Sequence, residues 1–149
     1  MDWAMITLAV LLLVNLWLND RKQNTMNEKN IILFERYDGV RFVLERSLKK
    51  YRKNIEIIST NHKSEIKNML NENEVDLLIT ELSKIHPAGM EISHYAKQIK
   101  PNLKIIWITV MGCHLFREQK ENLGIFRCIE KPLSINNFRK DVLRALEIS

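Results

Sequence analysis

The chain has 149 residues, a formal net charge of +5 at pH 7 and two cysteines. This length holds one domain with a full hydrophobic core, since domains cluster at roughly 100 to 150 residues. A charge balance of this size describes solubility and nonspecific attraction, so we expect no specific nucleic-acid partner. Cys113 and Cys128 stand at no zinc-ligand spacing and form no disulfide framework, and we predict two reduced thiols in a cytosolic domain.

An uncharged apolar run opens the chain, from Trp3 to Leu18. As a helix it would cover about 24 Å, which is slightly short of the roughly 30 Å hydrocarbon core of a bilayer. Trp3 and Trp17 lie at its two ends, where indole rings favour the membrane interface. We predict a membrane-anchor helix within residues 1–18, with residues 3–18 in the membrane. The alternative is a buried or interfacial helix.

Basic residues follow this run on one side only, at Arg21, Lys22 and Lys29. Because positive charge favours the cytoplasmic side, we place the rest of the chain in the cytoplasm, attached to the inner membrane by a single span. Residues 19–30 are polar and charged, which predicts a solvated linker. Translation starting at Met26 would instead give a soluble cytoplasmic domain.

From residue 31 onward, short apolar runs alternate with amphipathic stretches, which predicts a parallel sheet covered by helices on both faces. The predicted strands are Ile31–Glu35, Ile55–Ser59, Val75–Glu81, Leu103–Thr109 and Ile125–Ile129. Helical spacing of apolar residues predicts helices over residues 40–51, 66–70, 92–99 and 134–146, with a weaker pattern over 113–123. Five such units over residues 31–149 predict a flavodoxin-like, doubly wound α/β fold with strand order 2-1-3-4-5, preceded by the N-terminal hydrophobic helix.

Polar side chains stand at the carboxyl ends of these strands, the edge where doubly wound sheets place their functional sites. They are Glu35, Arg36, Glu81, Thr109 and Lys131. We predict that these five residues form the candidate site.

Four strand-end motifs, taken together, resemble those of the response-regulator receiver family, which includes the chemotaxis regulators. In chain order they are IILFERYDG at 31–39, VDLLITELSKIHPAG at 75–89, KIIWITV at 104–110 and CIEKP at 128–132. The resemblance implies two acids after the first strand, an acceptor aspartate after the third, and a Thr and a Lys after the fourth and fifth. It also implies a cis peptide between Lys131 and Pro132.

The chain departs from this pattern at two of the positions that carry the chemistry. The resemblance puts Glu35 at the first acid, Arg36 at the second and Glu81 at the phosphate acceptor. Arginine cannot be deprotonated at ordinary pH, so Mg²⁺, which wants oxygen ligands, should bind weakly or not at all. The glutamate carboxylate stands about 1 Å beyond that of an aspartate, and phosphoryl transfer depends on such positioning. The sequence thus predicts a degenerate, or pseudo-receiver, site without metal or catalytic residues.

Two arrangements of the charged groups are open. Arg36 pairs with Glu81 in place of the metal, or Arg36 points to solvent and Glu81 pairs with Lys131. The aromatic switch position of the family is Cys128 in this chain, which we interpret as a small buried strand residue.

The sequence leaves three candidate functions for this protein. The first is a non-enzymatic pseudo-receiver that binds a signalling partner, or a second copy of itself, through the face that the resemblance indicates: the domain's fourth helix, fifth strand and fifth helix. The second is an atypical response regulator that is phosphorylated on Glu81 with Mg²⁺. The third is a weak, basic nucleic-acid-binding domain, for which the sequence offers no recognition helix or aromatic-basic interleaving.

Overall fold

A five-stranded parallel sheet forms the centre of the protein, with the strand order β2-β1-β3-β4-β5. The computed structural model describes residues 2–26, 28–51 and 54–148. The strands are β1 (Lys29–Phe34), β2 (Ile55–Thr60), β3 (Leu77–Glu81), β4 (Lys104–Thr109) and β5 (Arg127–Glu130). This order confirms the predicted flavodoxin-like, doubly wound fold.

Five helices follow strands and cover both faces of the sheet, as predicted, and one helix precedes the sheet. The preceding helix is α1 (Trp3–Met26); the others are α2 (Asp38–Tyr51), α3 (Lys63–Glu72), α4 (Ala88–Ile99), α5 (Arg117–Leu123) and α6 (Ile135–Ala145), with a 3-10 turn at Cys113–Phe116 before α5. The weak pattern over residues 113–123 therefore becomes a turn followed by a short helix.

The core has two layers, one on each side of the sheet. On one face Leu44 of α2 and Phe138 of α6 are almost fully buried against the strands. On the other face Ile66 of α3 and Trp107 of β4 lie in a second buried cluster that also includes residues of α4. Alternate residues of each central strand feed the two layers, which is why these strands appear in the sequence as continuous apolar runs.

The N-terminal helix is longer than its apolar run. Within the described residues, α1 is the one helix that is long and apolar enough to cross a membrane, over Trp3–Lys22, and none of that span is buried against the rest of the protein. The helix continues to Met26 and β1 begins at Lys29, so most of the polar stretch predicted as a linker over residues 19–30 is helical or part of the first strand. Arg, Lys, Gln and Met are good helix formers, and no Pro or Gly interrupts the segment.

The two cysteines are joined. Cys113 and Cys128 form a disulfide with their Cα atoms 6.0 Å apart, so the prediction of two reduced thiols is wrong. The chain turns back after β4, which brings the 3-10 turn against β5. A separation of 15 residues carries no sequence signature of such an approach, because only the sheet topology creates it.

Candidate functional site

The predicted site residues meet at the carboxyl edge of the sheet. Glu35 directly follows β1, Glu81 is the last residue of β3, Thr109 is the last of β4, and Lys131 directly follows β5. Since β1, β3, β4 and β5 are consecutive neighbours in the sheet, these ends lie side by side. The fifth predicted residue, Arg36, follows Glu35 in the turn that leads to α2.

Arg36 holds the carboxylate of Glu81. Its Nη2 and Nε atoms lie 2.5 Å and 2.6 Å from Glu81 Oε1, and its backbone N–H donates to Oε2 at 3.2 Å. The Glu81 side chain is only 6% exposed, whereas the Arg36 side chain is 26% exposed. Of the two arrangements open from the sequence, the structure has the Arg36–Glu81 pair.

Lys131 pairs with the other carboxylate of the site. Its Nζ donates to Glu35 Oε2 at 2.7 Å, and both side chains are largely buried. The backbone N–H of Tyr37 donates to Glu35 Oε1 at 3.0 Å. Among the described residues Lys131 therefore pairs with Glu35, and the alternative in which it pairs with Glu81 is wrong. The Lys131–Pro132 peptide bond is cis, as the resemblance implied.

The two carboxyl groups differ in pKa. Burial and a hydrogen bond to Glu81 raise the pKa of Glu35 to about 7, although Lys131 and the Tyr37 N–H act in the opposite direction. Burial also acts to raise the pKa of Glu81, but hydrogen bonds from Glu35 and Arg36 outweigh it and lower that pKa. Near neutral pH, Glu81 is ionised against Arg36, and Glu35 can gain or lose a proton beside it.

Thr109 connects to the site through its backbone. It is fully buried, and its carbonyl oxygen accepts a 2.7 Å hydrogen bond from the N–H of Lys131. Its hydroxyl oxygen accepts from the N–H of Met111 at 3.0 Å. These bonds fix the ends of β4 and β5 relative to each other.

Sequence reasoning missed two residues of this site. The ring of Tyr37 lies 5.6 Å from the guanidinium carbon of Arg36 and 5.5 Å from Lys131 Nζ, so it stacks beside both cations. Arg41 Nη1 donates to the carbonyl oxygen of Glu35 at 3.0 Å. The position of Tyr37 directly after the charged pair is a signal that could have identified it, whereas the role of Arg41 depends on the way α2 starts.

Gly89, near the start of α4, packs against the backbone behind Glu81. A Cβ atom at this position would overlap with the carbonyl oxygen of Glu81 and approach the Thr80 hydroxyl. Glycine is therefore required by space rather than by backbone conformation. This close approach fixes the end of β3, from which the Glu81 side chain projects.

Cys128 is half-buried and lies on β5 opposite Trp107 of β4. It is a small strand residue, as predicted, but it is not fully buried as the prediction had it, and its thiol is not free, because its sulfur is bonded to Cys113.

Solved structures supply a fold-level comparison. No protein-family model and no curated protein matches the sequence. The non-phosphorylated HemR receiver domain from Leptospira biflexa superposes with a TM-score of 0.72 at 20% identity, covering 82% of this chain and 97% of that domain. The chain has the fold of a response-regulator receiver domain.

Two further structures agree with this receiver fold. A response regulator from Thermotoga maritima has a TM-score of 0.70 at 12% identity, with 80% of this chain and 98% of that chain covered. A CheY-like receiver domain protein from Methanospirillum hungatei has a TM-score of 0.70 at 16% identity, with 80% and 94% covered. The candidate site therefore occupies the carboxyl edge of a receiver fold.

Proposed function

We propose that this chain is a non-phosphorylatable pseudo-receiver that acts as a membrane-tethered signalling module by binding another protein. The receiver fold supports a role in two-component signalling. A module of this kind is an interaction domain rather than an enzyme, and its effect depends on the partner that it binds.

The observation that carries this proposal is the Arg36–Glu81 ion pair. A phosphorylatable receiver, by the resemblance, needs a metal between the second acid and the acceptor. Here a guanidinium lies 2.5 Å from the acceptor-position carboxylate, and the remaining acid, Glu35, is paired with Lys131. A divalent cation would have to displace two ion pairs and share the space with a permanent positive charge. The residues present therefore do not fit Mg²⁺.

The same charges argue against the atypical phosphorylated regulator. An acceptor carboxylate must reach the phosphorus atom in line with the leaving group, which is a matter of positioning. Glu81 has both oxygens engaged by Arg36 and is 6% exposed. Arg36 thus supplies within the protein the positive charge that the metal would otherwise bring.

The membrane tether and the partner face are parts of the same proposal. The apolar span Trp3–Lys22 supports single-pass attachment, and the basic residues after it favour a cytoplasmic domain. The face formed by α5, β5 and α6 is the one that the resemblance indicates for a partner or a second copy. β5 is an edge strand, so one side of its backbone is available beside these helices.

Phosphorylation of the full-length chain in detergent micelles tests the proposal. The protein is incubated with Mg²⁺ and acetyl phosphate, a small phosphodonor, and its intact mass is measured. We expect no added mass and no Mg²⁺-dependent change in fluorescence. A phosphoryl group on Glu81 would refute the proposal and establish an active, atypical regulator.

A double variant supplies the matched positive control. Arg36→Asp with Glu81→Asp restores the acid and the acceptor that the receiver pattern requires, while leaving Glu35, Thr109 and Lys131 in place. We expect this variant to bind Mg²⁺ and to gain a phosphoryl group, provided that circular dichroism shows the wild-type fold. A folded variant that remains inert would show that Arg36 and Glu81 are not what blocks phosphorylation.

A further inference from the structure

The disulfide between Cys113 and Cys128 lies at the partner face. Cys113 begins the 3-10 turn before α5, and Cys128 is in β5. The bond therefore joins β5, one element of this face, to the turn that leads directly into α5, another of its elements. Its two cysteines lie four residues after Thr109 and three residues before Lys131, so the bond lies close along the chain to two residues of the candidate site.

Both sulfur-bearing residues are half-buried rather than sealed in the core. The neighbouring residue Val110 is 69% exposed, and Leu115 is 39% exposed. The segment that carries Cys113 therefore lies at the surface, where thiol exchange with small molecules takes place.

Other contacts hold the two ends of the segment between β4 and α5. At its start Met111 packs against one of the buried clusters, and its N–H donates to the Thr109 hydroxyl oxygen at 3.0 Å. Phe116, at its far end, is 4% exposed and packs edge to face on Trp107 with the ring centroids 6.3 Å apart. Before it, the N–H of Cys113 donates to Glu130 Oε1 of β5 at 2.8 Å, in an exposed hydrogen bond. An exposed bond of this kind contributes little, so the disulfide is the main link between residues 110–115 and β5.

The role of this disulfide depends on the compartment in which the domain lies. The charges that follow the apolar helix favour the cytoplasm for the domain, where thiol systems keep structural cysteines reduced. A disulfide found in a cytoplasmic protein is usually transient or redox-sensing. An exposed disulfide at an interaction face fits a redox-sensing role.

We propose that Cys113 and Cys128 form a reversible redox site that controls how firmly the segment 110–115 is held against β5. On oxidation, two S–H bonds break and one S–S bond forms. The two protons and two electrons pass to a low-molecular-weight disulfide such as oxidised glutathione, which becomes two thiols. On reduction the reverse exchange releases the segment while Phe116 keeps α5 attached to the core. The proposal holds whether or not the site accepts phosphate.

The test uses the full-length chain in micelles, equilibrated with glutathione buffers that range from reducing to oxidising. Thiols are trapped by alkylation and counted by intact mass, and amide hydrogen exchange is measured on the fully oxidised and fully reduced samples. We expect the number of alkylated cysteines to fall from two to none across the series. We also expect amide exchange in residues 110–115 to be roughly tenfold faster in the reduced form, with β4 unchanged.

A double variant, Cys113→Ser with Cys128→Ser, is the control. It should exchange like the reduced protein in every buffer, which separates the effect of the bond from that of the buffer. The proposal is overturned if the bond persists at the most reducing ratio, if it never forms at the most oxidising one, or if the amides of segment 110–115 exchange equally fast in both redox forms.

Discussion

Replacing Arg36 with methionine removes the cation from the candidate site while keeping an unbranched side chain. The Glu81 carboxylate loses the two contacts at 2.5 Å and 2.6 Å and keeps the backbone N–H at 3.2 Å. Removing one partner of a fully buried ion pair costs about 3–5 kcal/mol. Because Arg36 is 26% exposed and solvent screens part of the attraction, we expect a loss of about 2 kcal/mol.

Urea unfolding of the full-length protein in micelles, followed by circular dichroism, measures this loss. For a slope near 2 kcal/mol per molar urea, a change of about 2 kcal/mol lowers the midpoint by about 1 M with the slope unchanged. Arg46→Met is the matched control, because Arg46 is an exposed arginine of α2 whose guanidinium lies 5.9 Å from the Phe42 ring centroid. We expect it to change the free energy of unfolding by less than about 0.5 kcal/mol.

The difference in urea midpoint between Arg36→Met and Arg46→Met tests whether the Arg36–Glu81 pair stabilises the fold. If Arg36→Met unfolds at the same urea concentration as Arg46→Met, the pair with Glu81 does not stabilise the fold, and the reasoning about the site is wrong. A more stable Arg36→Met variant would show that desolvation of the pair costs more than the attraction returns.

Three further predictions follow from the site and its supports. The raised pKa of Glu35, about 7, means that the folded state binds this proton more tightly than the unfolded chain. The contribution of Glu35 to the free energy of unfolding should therefore be greatest below about pH 4.5 and should fall by about 2–3 kcal/mol as pH rises towards 7 and above, as measured by urea midpoints. Glu35→Gln should remove this pH dependence, and an unchanged pH dependence would contradict the assignment. Gly89→Ala forces a Cβ onto the Glu81 carbonyl and should lower stability by about 1–3 kcal/mol in the same assay, so a neutral effect would show that α4 can shift freely. Ser134→Ala removes the oxygen that accepts from the Asn137 N–H at 3.3 Å and should cost about 1 kcal/mol, whereas Ser134→Asp should restore it; equal midpoints for both variants would mean that the cap contributes nothing.

The strand order was predictable because β1, β3 and β4 are buried on both faces and therefore appear in the sequence as apolar runs. The strand bounds were less accurate. β5 was expected at Ile125–Ile129 but spans Arg127–Glu130, since its exposed edge residues carry no apolar signal. The helix boundary at Met26 was missed for a related reason: a polar sequence can remain helical once an apolar segment has started the helix.

The site residues were predictable as a set, but their pairing was not. Strand ends fix which side chains meet, so Glu35, Glu81 and Lys131 could be placed together from the sequence. Which cation pairs with which carboxylate depends on the path of the turn after β1. This turn places Arg36 within hydrogen-bond distance of Glu81. The disulfide was missed because two distant cysteines become neighbours only when β5 lies beside β4.

The direction of β1 places the candidate site at the opposite end of this strand from α1. α1 leads into the amino end of β1, and Glu35 and Arg36 follow its carboxyl end, six residues later. At about 3.3 Å per residue the strand alone spans about 20 Å, and the polar end of α1 adds further length. The full length of β1 therefore separates the charged cluster from the strand end into which α1 leads. A change confined to the sequence around the end of α1 should therefore leave the ion pairs of this edge intact.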